Sequence, residues 1–107
     1  MSPHEWPEIK KSQTLLRQSY GDRLKDVILF GSVARGQDTP ESDIDLLVLL
    51  DEPFDYWTDL KNIVDLLHPL QLESQHYISP KPARYDDYKR QSLQFYKNIK
   101  REGVSLT

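Results

Sequence analysis

The chain contains no cysteine. That excludes a disulfide scaffold and any cysteine-ligated zinc site. Glycine is scarce: Gly21, Gly31, Gly36 and Gly103 are the only four, and each stands between periodic segments rather than inside one. Neither sign of charge dominates, because 14 basic and 17 acidic residues give a net charge of -3. A strongly basic surface for nucleic acid is therefore not the default reading. The cluster Lys97, Lys100 and Arg101 beside Tyr96 reads as a helix end complementing its dipole, not as a nucleic-acid site. Long apolar runs are also missing. The longest, Ile44 to Leu50, is broken by Asp45, so nothing is expected to span a membrane. The N-terminus shows no basic stretch followed by an apolar one, hence no secretory signal. These absences leave the expectation of a soluble, cytoplasmic protein with one domain over residues 1–107. Its 37% hydrophobic residues come in blocks concentrated enough to build a small core.

The blocks themselves predict the elements. Ile9, Leu16 and Tyr20 recur at helical spacing, with Pro7 suited to the first turn and Gly21 to the end, which predicts a helix over about 7–20. Leu24 to Phe30 becomes continuously apolar in its second half and reads as a strand buried on both faces. Ser32 to Gly36 suits a helical turn, and Gln37 to Ser42 a loop containing Pro40. Asp43 to Leu50 reads as a second buried strand. Asp51-Glu52-Pro53 resembles a helix start, and Phe54, Trp57, Leu60, Val64 and Leu67 carry a helix over about 54–68 that ends before Pro69. Phe54 and Trp57 are expected in the core, and Trp6 as a staple at the first helix. Gln71 to Ser79 is a weaker strand candidate; residues 84–91 and 93–101 read as helices. The order is α-β-turn-β-α-β-α-α, an α/β or α+β domain on a small sheet with flanking helices.

The chemistry concentrates between Gly31 and Asp45. Residues i and i+2 of a strand share a face, so the Cα atoms of Asp43 and Asp45 lie roughly 6–7 Å apart on one side. Two such carboxylates repel each other and resist desolvation. A hard divalent cation such as Mg²⁺ removes the penalty and completes its shell with phosphate oxygens and water. Gly31-Ser32 ends a buried strand in a tight turn, where glycine permits close backbone approach and the Ser32 and Val33 amides with the Ser32 hydroxyl form a small phosphate cradle. If the two strands are neighbours, cradle and carboxylates share one sheet edge.

Gly31-Ser32, ten residues, then Asp43-x-Asp45, with Ala34-Arg35-Gly36 between, resembles the signature of the DNA polymerase β-like nucleotidyltransferase superfamily. The longer phrase Leu29 to Gly36 followed by Ser42 to Val48 is most similar to its minimal nucleotidyltransferases, antitoxin-like proteins often paired with HEPN-domain toxins. The resemblance implies a mixed, palm-like sheet and transfer of a nucleoside monophosphate, foremost AMP from ATP, to a hydroxyl, with Mg²⁺ as cofactor. It implies Asp43 and Asp45 as catalytic metal ligands, Gly31 and Ser32 as nucleotide-binding residues, and Arg35 as a phosphate contact or a structural residue. It also implies a HEPN-domain partner, with a second copy of the chain as another possible source of the acceptor side.

Members of the superfamily usually supply a third carboxylate from the strand after the intervening helix. In residues 71–79 the one acid is Glu73, which becomes the candidate third ligand and general base although it stands at the strand's entrance. His76 is a further candidate base, with a structural role as the simpler reading. The weak third acid leaves two readings open: an active transferase, or an inactive nucleotidyltransferase-like module that acts by direct protein contact. Tyr77, Tyr85, Tyr88 and Tyr96 crowd the last third of the chain and suggest a partner surface there.

Overall fold

The computed structural model describes residues 5–106. Helix α1 (Pro7–Tyr20) opens the fold and is followed by a 3-10 turn at Gly21–Arg23. Strand β1 (Leu24–Phe30), the four-residue helix α2 (Gly31–Ala34) and strand β2 (Ile44–Leu50) come next, then helix α3 (Tyr56–Glu73) and strand β3 (Ile78–Arg84). The chain closes with α4 (Tyr85–Lys89), α5 (Gln94–Glu102) and the short β4 (Val104–Ser105). The sheet order is β3-β2-β1-β4. β1 runs antiparallel to β2 and to β4, while β2 and β3 are parallel. This is the mixed sheet with flanking helices that the family resemblance implies, on the small α/β domain that the sequence pattern predicts.

The apolar runs of β1 and β2 are explained by burial on both faces. On one face Val27, Leu29, Ile44, Leu46, Val48 and Leu50 pack with Ile9 and Leu16 of α1 and Ile63, Leu67 and Leu70 of α3. On the other, Ile28, Leu47, Leu49 and Ala83 pack with Ile99 of α5, bordered by Phe30, Tyr85, Tyr88 and Tyr96. Each buried Leu, Ile or Val contributes roughly 1.5–3 kcal/mol over its exposed state. Alternation along β2 therefore sends Asp45, Leu47 and Leu49 to the α5 side, and the even-numbered residues to the α1/α3 side.

Three sequence expectations are corrected. First, α3 starts later and ends later than predicted. Asp55, not the Asp51–Pro53 stretch, caps it by accepting a hydrogen bond from the Thr58 amide at 3.0 Å. The helix then continues through Pro69 to Glu73. An internal proline costs a helix about 3 kcal/mol, but the apolar spacing Ile63-Leu67-Leu70 extends past it and buries Leu70. Gln71 secures the last turn by donating to the His76 carbonyl at 3.0 Å and accepting from the Ile78 amide at 2.6 Å. Second, the third strand lies at Ile78–Arg84 rather than within 71–79, with Pro80 and Pro82 inside it. A proline supplies no ladder donor, yet β3 is the sheet edge, where every second amide faces away from β2 and need not donate. Third, Trp57 is 74% exposed and is not core; Phe54 is half-buried and packs against the α1/α3 side. Trp6 does pack against that core, and its carbonyl accepts from the Ile9 and Lys10 amides at 3.0 Å.

Candidate active site

The site is built by two strand ends and the turn between them. Phe30 and Asp45 are cross-strand partners, so Gly31, the next residue of β1, emerges beside the Asp45 side chain. Gly31 has φ +78°, and a Cβ placed on it would lie 2.3 Å from Asp45 Oδ2. No side chain fits there, and no L-residue adopts that φ without strain. The glycine is thus required twice, by its dihedral and by the carboxylate that occupies the space. Its successor Ser32 is half-buried in α2, where the first amides of a helix have no acceptor within it. The turn closes on itself: the Arg35 amide donates to the Gly31 carbonyl at 3.2 Å and the Gln37 amide to the Ser32 carbonyl at 2.9 Å.

Asp43 stands just before β2 and is exposed. Its neighbours are fixed on both sides. The Thr39 amide donates to Ser42 Oγ at 2.7 Å and the Ser42 amide to the Thr39 carbonyl at 3.0 Å. His76 Nδ1 lies 2.8 Å from the Ser42 carbonyl and stacks on Trp6, ring centroids 5.1 Å apart. The Ile44 amide donates to the Tyr77 carbonyl at 2.8 Å. His76 is therefore a structural clamp on the loop leading to Asp43, the simpler of the two readings given to it from sequence.

Asp45 is half-buried. Burial pushes its carboxyl above the usual range, Asp43 pushes it further, and Arg35 and Lys81 pull it back. A desolvated carboxylate next to a second one is a pair that gains from a bound cation. Arg35 is exposed; its Nε donates to Gln37 Oε1 at 3.1 Å, and its Nη1 lies 3.6 Å from Glu102 Oε2 at the end of α5. It ties α2 to α5 while lending positive charge to Asp45.

Gly31, Ser32, Arg35, Asp43 and Asp45 are thus gathered at one end of the two central strands, where β1 finishes and β2 begins. Glu73 is not. It lies exposed in the last turn of α3, on the helix that covers the opposite face of the sheet from Asp45. There it borders a pocket of about 450 Å³ with Trp6, Glu8, Lys11, Ser74 and His76. Among the described residues no group of three His, Cys, Asp or Glu side chains could hold a metal ion. The expectation of Glu73 as third ligand and base fails because α3 runs on to residue 73 and the strand begins only at residue 78. On β3 the residue paired with Asp45 is Ser79, and Lys81, paired with Leu47, comes next on the same face. Lys81 falls outside the strand expected over residues 71–79, because the prolines on either side of it disfavour a strand in the sequence pattern.

A family model described as "Nucleotidyltransferase domain" matches residues 9–102. The chain is 36% identical over 104 residues to "Putative protein adenylyltransferase MJ0604" of Methanocaldococcus jannaschii, covering 96% of this chain and 98% of that protein. It is 46% identical over 44 residues to "Putative protein adenylyltransferase MJ1379" of the same organism, covering 41% of this chain and 42% of that one.

Proposed function

Because the chain belongs to the nucleotidyltransferase domain family, we propose that it transfers AMP from Mg²⁺-bound ATP to a hydroxyl of a partner protein, or of a small molecule. The observation that carries this reading is the contact between turn and carboxylate: Gly31 leaves room for Asp45 Oδ2 where any Cβ would collide. A phosphate-binding turn and a cation-binding pair held that close have the arrangement phosphoryl transfer needs. The adenylyl group and the protein acceptor are suggested by the names of the two relatives.

The residues present fit Mg²⁺. Asp43 and Asp45 provide two oxygen-donor side chains, a number at which that ion completes its shell with phosphate and water. When bound, the ion supplies charge neutralisation on the triphosphate. Gly31 lets the backbone approach the phosphates, and the Ser32 amide and hydroxyl donate to their oxygens. In the transfer, the acceptor oxygen bonds to the α-phosphorus as the bond from that phosphorus to the bridging oxygen of the β-phosphate breaks. Pyrophosphate leaves with the bonding electrons, and the acceptor's proton passes to solvent.

The partner in this reading is a HEPN-domain protein, with the chain serving as antitoxin; a second copy of the chain is the other acceptor to test. Incubation with the partner, Mg²⁺ and α-labelled ATP is expected to label the partner, and Asp43→Asn to prevent it. Absence of label from every acceptor offered would refute the transfer. One observation favours a second reading, neutralisation by contact: no third carboxylate joins Asp43 and Asp45 among the described residues. Complex formation that Asp43→Asn leaves intact, without label transfer, would establish it.

A further inference from the structure

Two residues beyond the partner of Asp45 on the third strand, the fold presents a basic side chain. Lys81 lies on β3, on the sheet face shared by Asp45 and Leu47. Its backbone is held by the prolines on either side: Pro80 and Pro82 have fixed φ, and the residue before a proline is confined to extended conformations. The side chain is exposed and makes no ion pair among the described residues. Its ammonium sits 5.9 Å from the centre of the Phe95 ring. The stem borders a groove of about 420 Å³ lined also by Leu47, Phe54, Tyr56, Leu93 and Tyr96. Asp45 stands on the same face two residues before Leu47, the partner of Lys81, and Asp87 also borders the groove.

We propose that Lys81 is a substrate-binding residue whose ammonium contacts the β- or γ-phosphate of the nucleoside triphosphate, so that the third strand contributes a lysine to the site. The inference rests on the nucleotidyl-transfer reading and adds to it. The charge balance favours it. Asp43 and Asp45 can offset one divalent ion, but a triphosphate brings further negative charge, and Arg35 is already engaged with Gln37 and Glu102. Lys81 is the cation on that sheet face left without a carboxylate partner among the described residues, and a lysine reaching a terminal phosphate makes a strong, charge-assisted contact. A lysine also tolerates the variable position of a phosphate tail, because its charge is a point on a flexible stem.

The test is titration calorimetry of the purified chain with Mg²⁺-ATP and with Mg²⁺-pyrophosphate. Lys81→Met keeps the stem over Phe95 and removes the charge. It is expected to weaken both ligands by about ten- to a hundredfold, the loss of one charge-assisted hydrogen bond. Lys81→Arg should stay within a few fold of the wild type. Lys81→Gln is the second neutral variant should Lys81→Met fail to fold, with folding checked by circular dichroism. Unchanged binding of both ligands by a folded neutral variant would overturn the assignment. So would a loss confined to Mg²⁺-ATP, because the contact would then lie outside the phosphates. Failure of the wild type to bind Mg²⁺-ATP would instead bring down the transfer reading, and this assignment with it.

Discussion

Gly31→Ala tests the core of the site, because two separable costs meet there. The first is conformational. At φ +78° an L-residue costs roughly 1–2 kcal/mol more than glycine. The second is collision. The new methyl would lie 2.3 Å from Asp45 Oδ2 and 3.2 Å from its Cγ, so the carboxylate must turn away by about 1 Å. Leaving its rotamer adds about 0.5–1.5 kcal/mol, for a total of about 1.5–3.5 kcal/mol. Gly36→Ala is the control. Its φ is +72°, but nothing lies within 4 Å of its Cβ position, so it bears the first cost alone. Urea denaturation should therefore separate the two variants by about 1 kcal/mol, or about 4–8 °C in melting temperature for a domain of this size. The Asp45→Ala background sharpens the test. Asp45 Cβ would be 3.5 Å from the new methyl, an ordinary contact, so the cost of Gly31→Ala should there fall to that of Gly36→Ala. Calorimetry should also show Gly31→Ala, unlike Gly36→Ala, losing Mg²⁺-ATP binding by more than about tenfold. Equal costs for both glycines, with no change in the Asp45→Ala background, would refute the claim that Gly31 is kept for the carboxylate.

Burial and Asp43 raise the Asp45 carboxyl above its usual range, so folding favours its protonated form. The wild type then loses stability as pH rises through that folded value, and Asp45→Asn does not. Denaturation should find the Asn variant the more stable at pH 7, with the advantage gone by about pH 3, below the unfolded value; an advantage equal at both pH values would contradict this. Tyr20, pushed up to about 12 by burial and then by Asp59, holds its proton better when folded. Wild-type stability should fall between pH 10 and 12, and Tyr20→Phe should remove that alkaline loss in the same assay. His76→Phe keeps the stack on Trp6 but loses the bond to the Ser42 carbonyl. It should cost about 1 kcal/mol and weaken Mg²⁺-ATP binding a few fold; unchanged binding would show that His76 does not position Asp43. Asp59→Ala removes a buried carboxylate that accepts from the Asp55 amide at 3.1 Å and lies 3.6 Å from Arg23. A loss of about 2 kcal/mol is expected by urea denaturation, and less than about 0.5 kcal/mol would mean that water replaces both contacts.

Much of this protein was already determined along the chain. Val27–Phe30 and Leu46–Leu50 are continuously apolar, which suits strands covered on both faces, and they lie in the two central strands. The spacing of Gly31-Ser32 and Asp43-x-Asp45 is local chemistry, and once those strands pair it needs only one turn to close. Tertiary structure decided the rest, because the deciding energies there are not local. Proline at 69 argues for a helix end, and only the burial of Leu70 against the sheet outweighs it. Prolines at 80 and 82 argue against a strand, and only the edge position of β3 makes their missing donors harmless. Those two shifts take Glu73 away from the carboxylate pair and place Lys81 on its sheet face. Which residues carry a phosphate turn and a carboxylate pair can be read from spacing. What stands on the third strand beside them depends on register, and register is set by the packing of the whole sheet.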